Sequence, residues 1–130
     1  MADHPNAQLI RRGYEAFSKG DMDTINEVFA DDIVWHIPGR SALSGDYKGK
    51  AEVFGFFGQL AERSGGTFSL DVHDVLGNDE HVMAMTQERA ERGGQSLDIH
   101  GVHVWHVRDG KAVEFWGIAD DPYAEDEFWG

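Results

Sequence analysis

The chain has 130 residues, no cysteine, 24 acidic against 11 basic residues and 41% hydrophobic residues. That length suits one domain spanning 1–130 with a core of its own. The missing cysteines exclude disulfides, a thiolate metal site and a cysteine nucleophile, and a net charge of −13 repels nucleic acid and anionic membranes. No apolar run reaches the ~20 residues of a membrane span, and the opening MADHPNAQ has neither the basic nor the apolar part of a signal peptide. The sequence therefore reads as a soluble, cytoplasmic protein.

The front half predicts helices. Asp3 or Asn6 caps a first one, on which Ile10, Tyr14 and Phe17 recur at helical spacing until Gly20 stops it. Asp21 caps a second, short helix with Met22, Ile25, Val28 and Phe29 on its apolar side. Ile33 to Ile37 (IVWHI) is β-branched and aromatic and reads as a strand, which Pro38-Gly39 ends. Residues 38–49 read as a loop, and a third helix runs from about Lys50 to Arg63, with Val53, Phe54, Phe57 and Leu60 along one stripe. The back half predicts an antiparallel meander over about 67–76, 81–91, 96–107 and 111–119, closed by an Asp109-Gly110 hairpin. The segment 120–130 carries five acids and no base: Asp120, Asp121, Glu125, Asp126 and Glu127. It reads as a separate acidic tail, apart from any pocket. Its Tyr123, Phe128 and Trp129 predict docking over a pocket mouth or onto a partner subunit.

Helices first and strands after imply an α+β fold. GDMDTINEVFADDIVWHIPG, the later G-x-x-x-V-x-x-F-F and the closing HVWHVRDGKAVEFWGIADD together resemble the NTF2-like superfamily, on its ketosteroid-isomerase and SnoaL-like polyketide-cyclase side. The resemblance covers nearly the whole chain. It implies a cone-shaped, curved, mixed or antiparallel sheet wrapped around three N-terminal helices, an apolar pocket between them and a homodimer. It also places Ile37 where the isomerases hold an Asp base. Gly13, with Tyr14 beside it, stands where they hold a Tyr, and His103 where they hold a protonated Asp. The two acids of the related epoxide hydrolase fall on His103 and Gly117. The standard isomerase and epoxide-hydrolase sets are thus not retained.

Strand alternation sets Ile99, Gly101, His103, Trp105 and Val107 on one face, which in the family pattern lines the pocket. An imidazole there titrates near neutrality and can move a proton, making His103 the expected catalytic residue. The same pattern makes Trp35, Ile37, Phe54, Phe57, Met85 and Trp105 apolar walls, with Tyr14, Gln87 and Arg89 orienting a carbonyl. His100, His103 and His106 alternate in direction on a strand, so one metal cannot bind all three, and no metal is expected. The sequence shows no phosphate-binding glycine pattern, so no nucleotide cofactor is expected either. His36, His100, Val102, Val104 and His106 fall on the opposite face, where they predict the homodimer contact. The expected activity is cofactor-independent acid/base chemistry, isomerase- or cyclase-like, on a small hydrophobic cyclic carbonyl compound. A non-catalytic binding protein with the same pocket is the alternative.

Overall fold

A computed structural model describes residues 3–130 of the chain. Helix α1 spans Pro5–Lys19, α2 Met22–Val28 and α3 Lys50–Arg63. Strand β1 spans Phe29–Ile37, β2 Gly45–Lys48, β3 Ser69–Gly77, β4 His81–Arg92, β5 Gln95–Arg108 and β6 Lys111–Ala119, and α4 (Pro122–Trp129) closes the chain. Neither Asp3 nor Asn6 caps α1. His4 does, its ring accepting from the Asn6 N–H, with Pro5 filling the first turn, where its missing N–H costs nothing. Gly20 ends that helix in the left-handed conformation at φ 70°, turning its N–H back to the Ala16 and Phe17 carbonyls. Asp21 caps α2 as expected, accepting from the Thr24 N–H.

The six strands form one curved, unclosed sheet in the order β2-β1-β6-β5-β4-β3, in which β1 runs parallel to β6 and the other neighbours are antiparallel. Register shifts between Phe29 and Val34, Val72 and Asp74, and His106 and Val107 bend it. The core lies in the concavity, where Ile10, Ile25, Ile33, Val53, Val75 and Val82 are fully buried. α1 packs on β3 and β4, and α3 on β1 and β2. Among the described residues no helix is long and apolar enough to cross a membrane.

Two elements depart from the sequence reading. The loop after Pro38 contains β2, an edge strand whose GDYK has too few residues to show a period. β1 begins at Phe29, which pairs with Ala112 before the exposed Asp31 and Asp32 interrupt the apolar pattern. The tail, moreover, is a helix. Asp121 caps α4 by accepting from the Ala124 N–H, and Phe128 and Trp129 are buried at 3% exposure each, whereas Tyr123 remains 84% exposed. The Asp126 carboxylate accepts the Arg40 N–H at 2.8 Å, and Arg92 Nη1 donates to the Phe128 carbonyl at 3.0 Å. At Gly39 (φ 104°) a Cβ would collide with the Asp126 carboxylate, so only glycine lets the 38–40 loop seat on α4.

The outer face of the sheet is tied by a bridge. His36 stacks on Trp116 and contacts Asp46 and Glu114, each at 2.7 Å. Burial pulls its pKa down, but the two carboxylates outweigh burial and hold it above the ordinary histidine value. Removing residues 123–130 takes two buried aromatic anchors from the core. We expect this truncation to lower stability by about 3 kcal/mol or more, read as a fall in Tm; an unchanged Tm would mean that α4 docks without contributing.

Candidate functional site

The register of the sheet builds the site in rungs. On the concave face Trp35 pairs with Phe115, Phe115 with Trp105, and Trp105 with Val82. This rung is aromatic and dense, with the Trp35 and Phe115 rings stacked at 3.7 Å. On the next rung His103 stands between Gly117 and Ala84, and on the one after it Gly101 stands between Ala119 and Thr86. Gly117, Gly101 and Ala119 leave space over the sheet, and a cavity of about 90 Å³ opens there beneath α1 and α3, whereas Ala84 is fully covered. One buried water needs roughly 10–15 Å³ on this measure, so the space takes a small ring. Gly101 cannot be enlarged toward it: a Cβ would lie 2.6 Å from the Ile118 carbonyl oxygen.

Four titratable side chains border the cavity: Tyr14 from α1, Glu88 from β4, His103 from β5 and Glu125 from α4. Three of them form a chain. The Trp105 Nε1–H donates to the Tyr14 hydroxyl at 3.0 Å, the hydroxyl meets His103 Nδ1 at 2.7 Å, and His103 Nε2 faces Glu88 Oε1 at 3.4 Å. One proton assignment satisfies every member. Tyr14 already accepts from Trp105, so it donates to Nδ1; Nδ1 is then the bare nitrogen, Nε2 carries the hydrogen, and Nε2–H donates to the Glu88 carboxylate. Burial pushes the Tyr14 phenol far above its ordinary range, more than the Trp105 hydrogen bond lowers it, and the Glu88 charge adds to the rise. Tyr14 therefore stays protonated. Burial, the Glu88 charge and then the Asp126 charge push the Glu125 carboxyl up to about 7. Two buried polar atoms in the wall have no protein partner, Trp35 Nε1 and Thr86 Oγ1.

Tyr14, Trp35, Ile37, Phe57, His103 and Trp105 all border the cavity, and Phe56 joins them. Phe54 does not; it packs behind, against Phe29 and Phe57. Strand β4 has the opposite face inward from that expected. Val82, Ala84, Thr86 and Ala90 are buried, whereas Met85 is 49% exposed. On that outer side Gln87 hydrogen-bonds Asp98, and Arg89 pairs with Asp71 and Asp98. Met85, Gln87 and Arg89 therefore do not reach the cavity, because α1 approaches the inner side of β4 too closely for methionine. The same parity brings in Glu88, which the sequence reading passed over. The acidic tail does not stand apart either, since Glu125 is part of the wall. His100 and His106 face outward, opposite to His103, as strand alternation requires.

A family model for the SnoaL-like domain matches residues 10–115. The chain belongs to the SnoaL-like family. Among related proteins, an uncharacterized protein of Mycobacterium tuberculosis is 33% identical, with 99% of each chain covered. Bal32a, from a soil-derived mobile gene cassette, is 40% identical with a TM-score of 0.93, and 97% of each chain is covered. IdmH of Streptomyces antibioticus, a candidate polyketide cyclase, is 25% identical with a TM-score of 0.74 over 91% of this chain and 94% of that one. The NTF2-like fold and the SnoaL-like assignment thus agree with the sequence resemblance.

Glu125 in this SnoaL-like chain links the site to stability. Its ordinary value is 4.5 and its folded value about 7, so between these the folded state binds more protons than the unfolded state and stability falls as pH rises. Glu125→Gln, neutral at every pH, should raise Tm at pH 8 and leave it nearly unchanged at pH 5. An equal shift at both pH values would place Glu125 in solvent.

Proposed function

We propose that the protein is a cofactor-independent acid/base enzyme that takes a small, hydrophobic, cyclic carbonyl compound into the cavity and moves a proton next to its carbonyl group. One observation carries the reading: the buried His103 is engaged at both nitrogens, with Nε2 turned to a carboxylate that itself borders the cavity. In this arrangement Glu88 takes the proton from the carbon beside the carbonyl. His103 holds the carboxylate through Nε2–H, Tyr14 fixes the imidazole from the other side, and the protonated Glu88 carries the proton until it is returned. The Thr86 hydroxyl, two residues from Glu88 on the same face, is a free donor for the oxygen on which negative charge develops. Returning the proton to a different carbon gives an isomerisation; attack of the enolate on a second carbonyl of the same molecule gives a cyclisation. The candidate polyketide cyclase IdmH among the related structures supports the second outcome.

A panel of cyclic and aromatic ketones and steroids incubated in deuterated water tests this. Hydrogen exchange beside the carbonyl, followed by mass spectrometry, should occur with the wild type and fall about 10²-fold or more in Glu88→Gln and His103→Ala. Full exchange in either variant would sink the mechanism. Thermal stabilisation by the same compounds without exchange would favour a binding protein.

We also propose that two copies pair through the outer face of the sheet. Met83, Met85 and Ile118 are each about half exposed there, beside the partly covered Val102, Val104 and Trp116. Met85→Glu should convert a dimer of about 29 kDa, twice the chain's 14.5 kDa, into a monomer on sedimentation. A wild type that sediments as a monomer at all concentrations would refute the pairing.

A further inference from the structure

The cavity wall is chemically lopsided in a way the proton-transfer reading does not use. At one end two carboxyl groups, Glu88 from β4 and Glu125 from α4, stand close enough for the first to disfavour ionisation of the second. Among the described residues no lysine or arginine borders the cavity, whereas ten tyrosine, phenylalanine and tryptophan side chains do. Arg89, next to Glu88 in sequence, points to the outer side and pairs with Asp71 and Asp98, and Arg92 donates to the Phe128 carbonyl. At the other end, on the aromatic rung, Trp35 is 5% exposed and its indole Nε1 has no partner. Indole nitrogen only donates, so its missing partner is an acceptor. Burying such a donor unpaired costs roughly 1–3 kcal/mol, a cost that a ligand atom removes.

Two neighbouring carboxyls with no lysine or arginine beside them, and only the His103 Nε2–H on Glu88, are relieved in one of two ways. One of them keeps a proton, or a cation sits between them. Aromatic faces around such a cation strengthen its binding, by about 2 kcal/mol where water is excluded. We infer that the cavity selects a small ring carrying an ammonium group, held by Glu125 with the Glu88 charge beside it, and with an oxygen acceptor at its far end turned to the Trp35 indole. The inference rests on the reading above only in taking the cavity as the place where a small molecule binds. It narrows the carbonyl compound to one that also bears an amine, with the carboxyl pair as the specificity-determining groups.

The groups facing Glu125 set its pH behaviour. β4 contributes Glu88 and α4 itself Asp126; His103 of β5 and Tyr14 of α1 follow Glu88 in the hydrogen-bonded chain, and β6 contributes no titratable group to the cavity wall. Ammonium binding favours the ionised Glu125, so affinity rises with pH through about 7.

Three acetophenones with one ring and one acetyl group test the inference, bearing para aminomethyl, methyl or carboxylate substituents. By isothermal titration at pH 8 the aminomethyl compound should bind at least tenfold tighter than the methyl compound, and the carboxylate most weakly. Between pH 8 and pH 6 the aminomethyl affinity should fall roughly tenfold, following the ionised fraction of Glu125. The methyl compound should show no such fall. Glu125→Gln should weaken the aminomethyl compound at pH 8 and flatten its pH dependence, with a Tm no lower than the wild type's as the check on folding. Equal binding of the aminomethyl and methyl compounds, or tighter binding of the carboxylate, overturns the ammonium inference and leaves the cavity as a ligand site. Binding by none of the three overturns both.

Discussion

The architecture of the cavity wall hangs on the imidazole of His103 being held at both nitrogens. Tyr14 reaches Nδ1 from α1 and Glu88 reaches Nε2 from β4, so a helix and two strands are locked by one ring. Trp105, two residues along β5, completes the lock by donating to the same hydroxyl. A buried polar group that loses its partner costs roughly 1–3 kcal/mol, so none of these residues can turn away without leaving another unsatisfied. The network specifies the tautomer, the direction of α1 over the sheet and the placing of a carboxylate in an otherwise aromatic wall.

The cavity exists because the sheet is underfilled at defined points. Gly117, Gly101 and Ala119 flank the His103 and Thr86 positions, on the rungs directly beside the dense Trp35–Phe115–Trp105 rung. Unfilled volume costs stability, and at Gly101 the Ile118 carbonyl leaves no room for a Cβ to recover it. The unpartnered Trp35 and Thr86 atoms are a second cost in the same place. Two independent sacrifices of stability meeting at one side of a sheet mark a site shaped for something other than folding. Helix α4 then covers this underfilled region with Trp129 and brings in Glu125.

Much of this was legible in the sequence, and the failures share a cause. Gly20, Asp21 and the stripe from Val53 to Leu60 carry local signals that do not depend on the rest of the fold, and the three N-terminal helices follow from them. His103 and Trp105 could be placed inward because strand alternation sets them on the face that lines the pocket in the family pattern. Strand β4 misled because hydrophobicity was read as burial. Met83 and Met85 look like core, yet the inner side is Val82, Ala84, Thr86 and Glu88, chosen for closeness to α1 and for chemistry. A sequence cue was present: Ala84 and Ala90 lie on the parity of Thr86 and Glu88, and small residues on one face mark close packing. The helical tail was missed because five acids suggested solvent, although Asp121-Pro122 is a helix start by the usual rules.

The charge of the chain is not only a matter of solubility. Of its acids, two enter the cavity, and the bases stay outside it. The outer acids outnumber the bases and raise the negative potential of the surface, and such a potential is focused where a low-dielectric wall excludes water. Glu125 feels this most, being buried next to Glu88 and Asp126. A negative potential of this kind opposes the approach of anions more than that of neutral or cationic molecules. Charge pattern and cavity shape thus act at different ranges on the same choice: the surface sets which molecules arrive, and the rungs of small residues beside His103 set which of them fit.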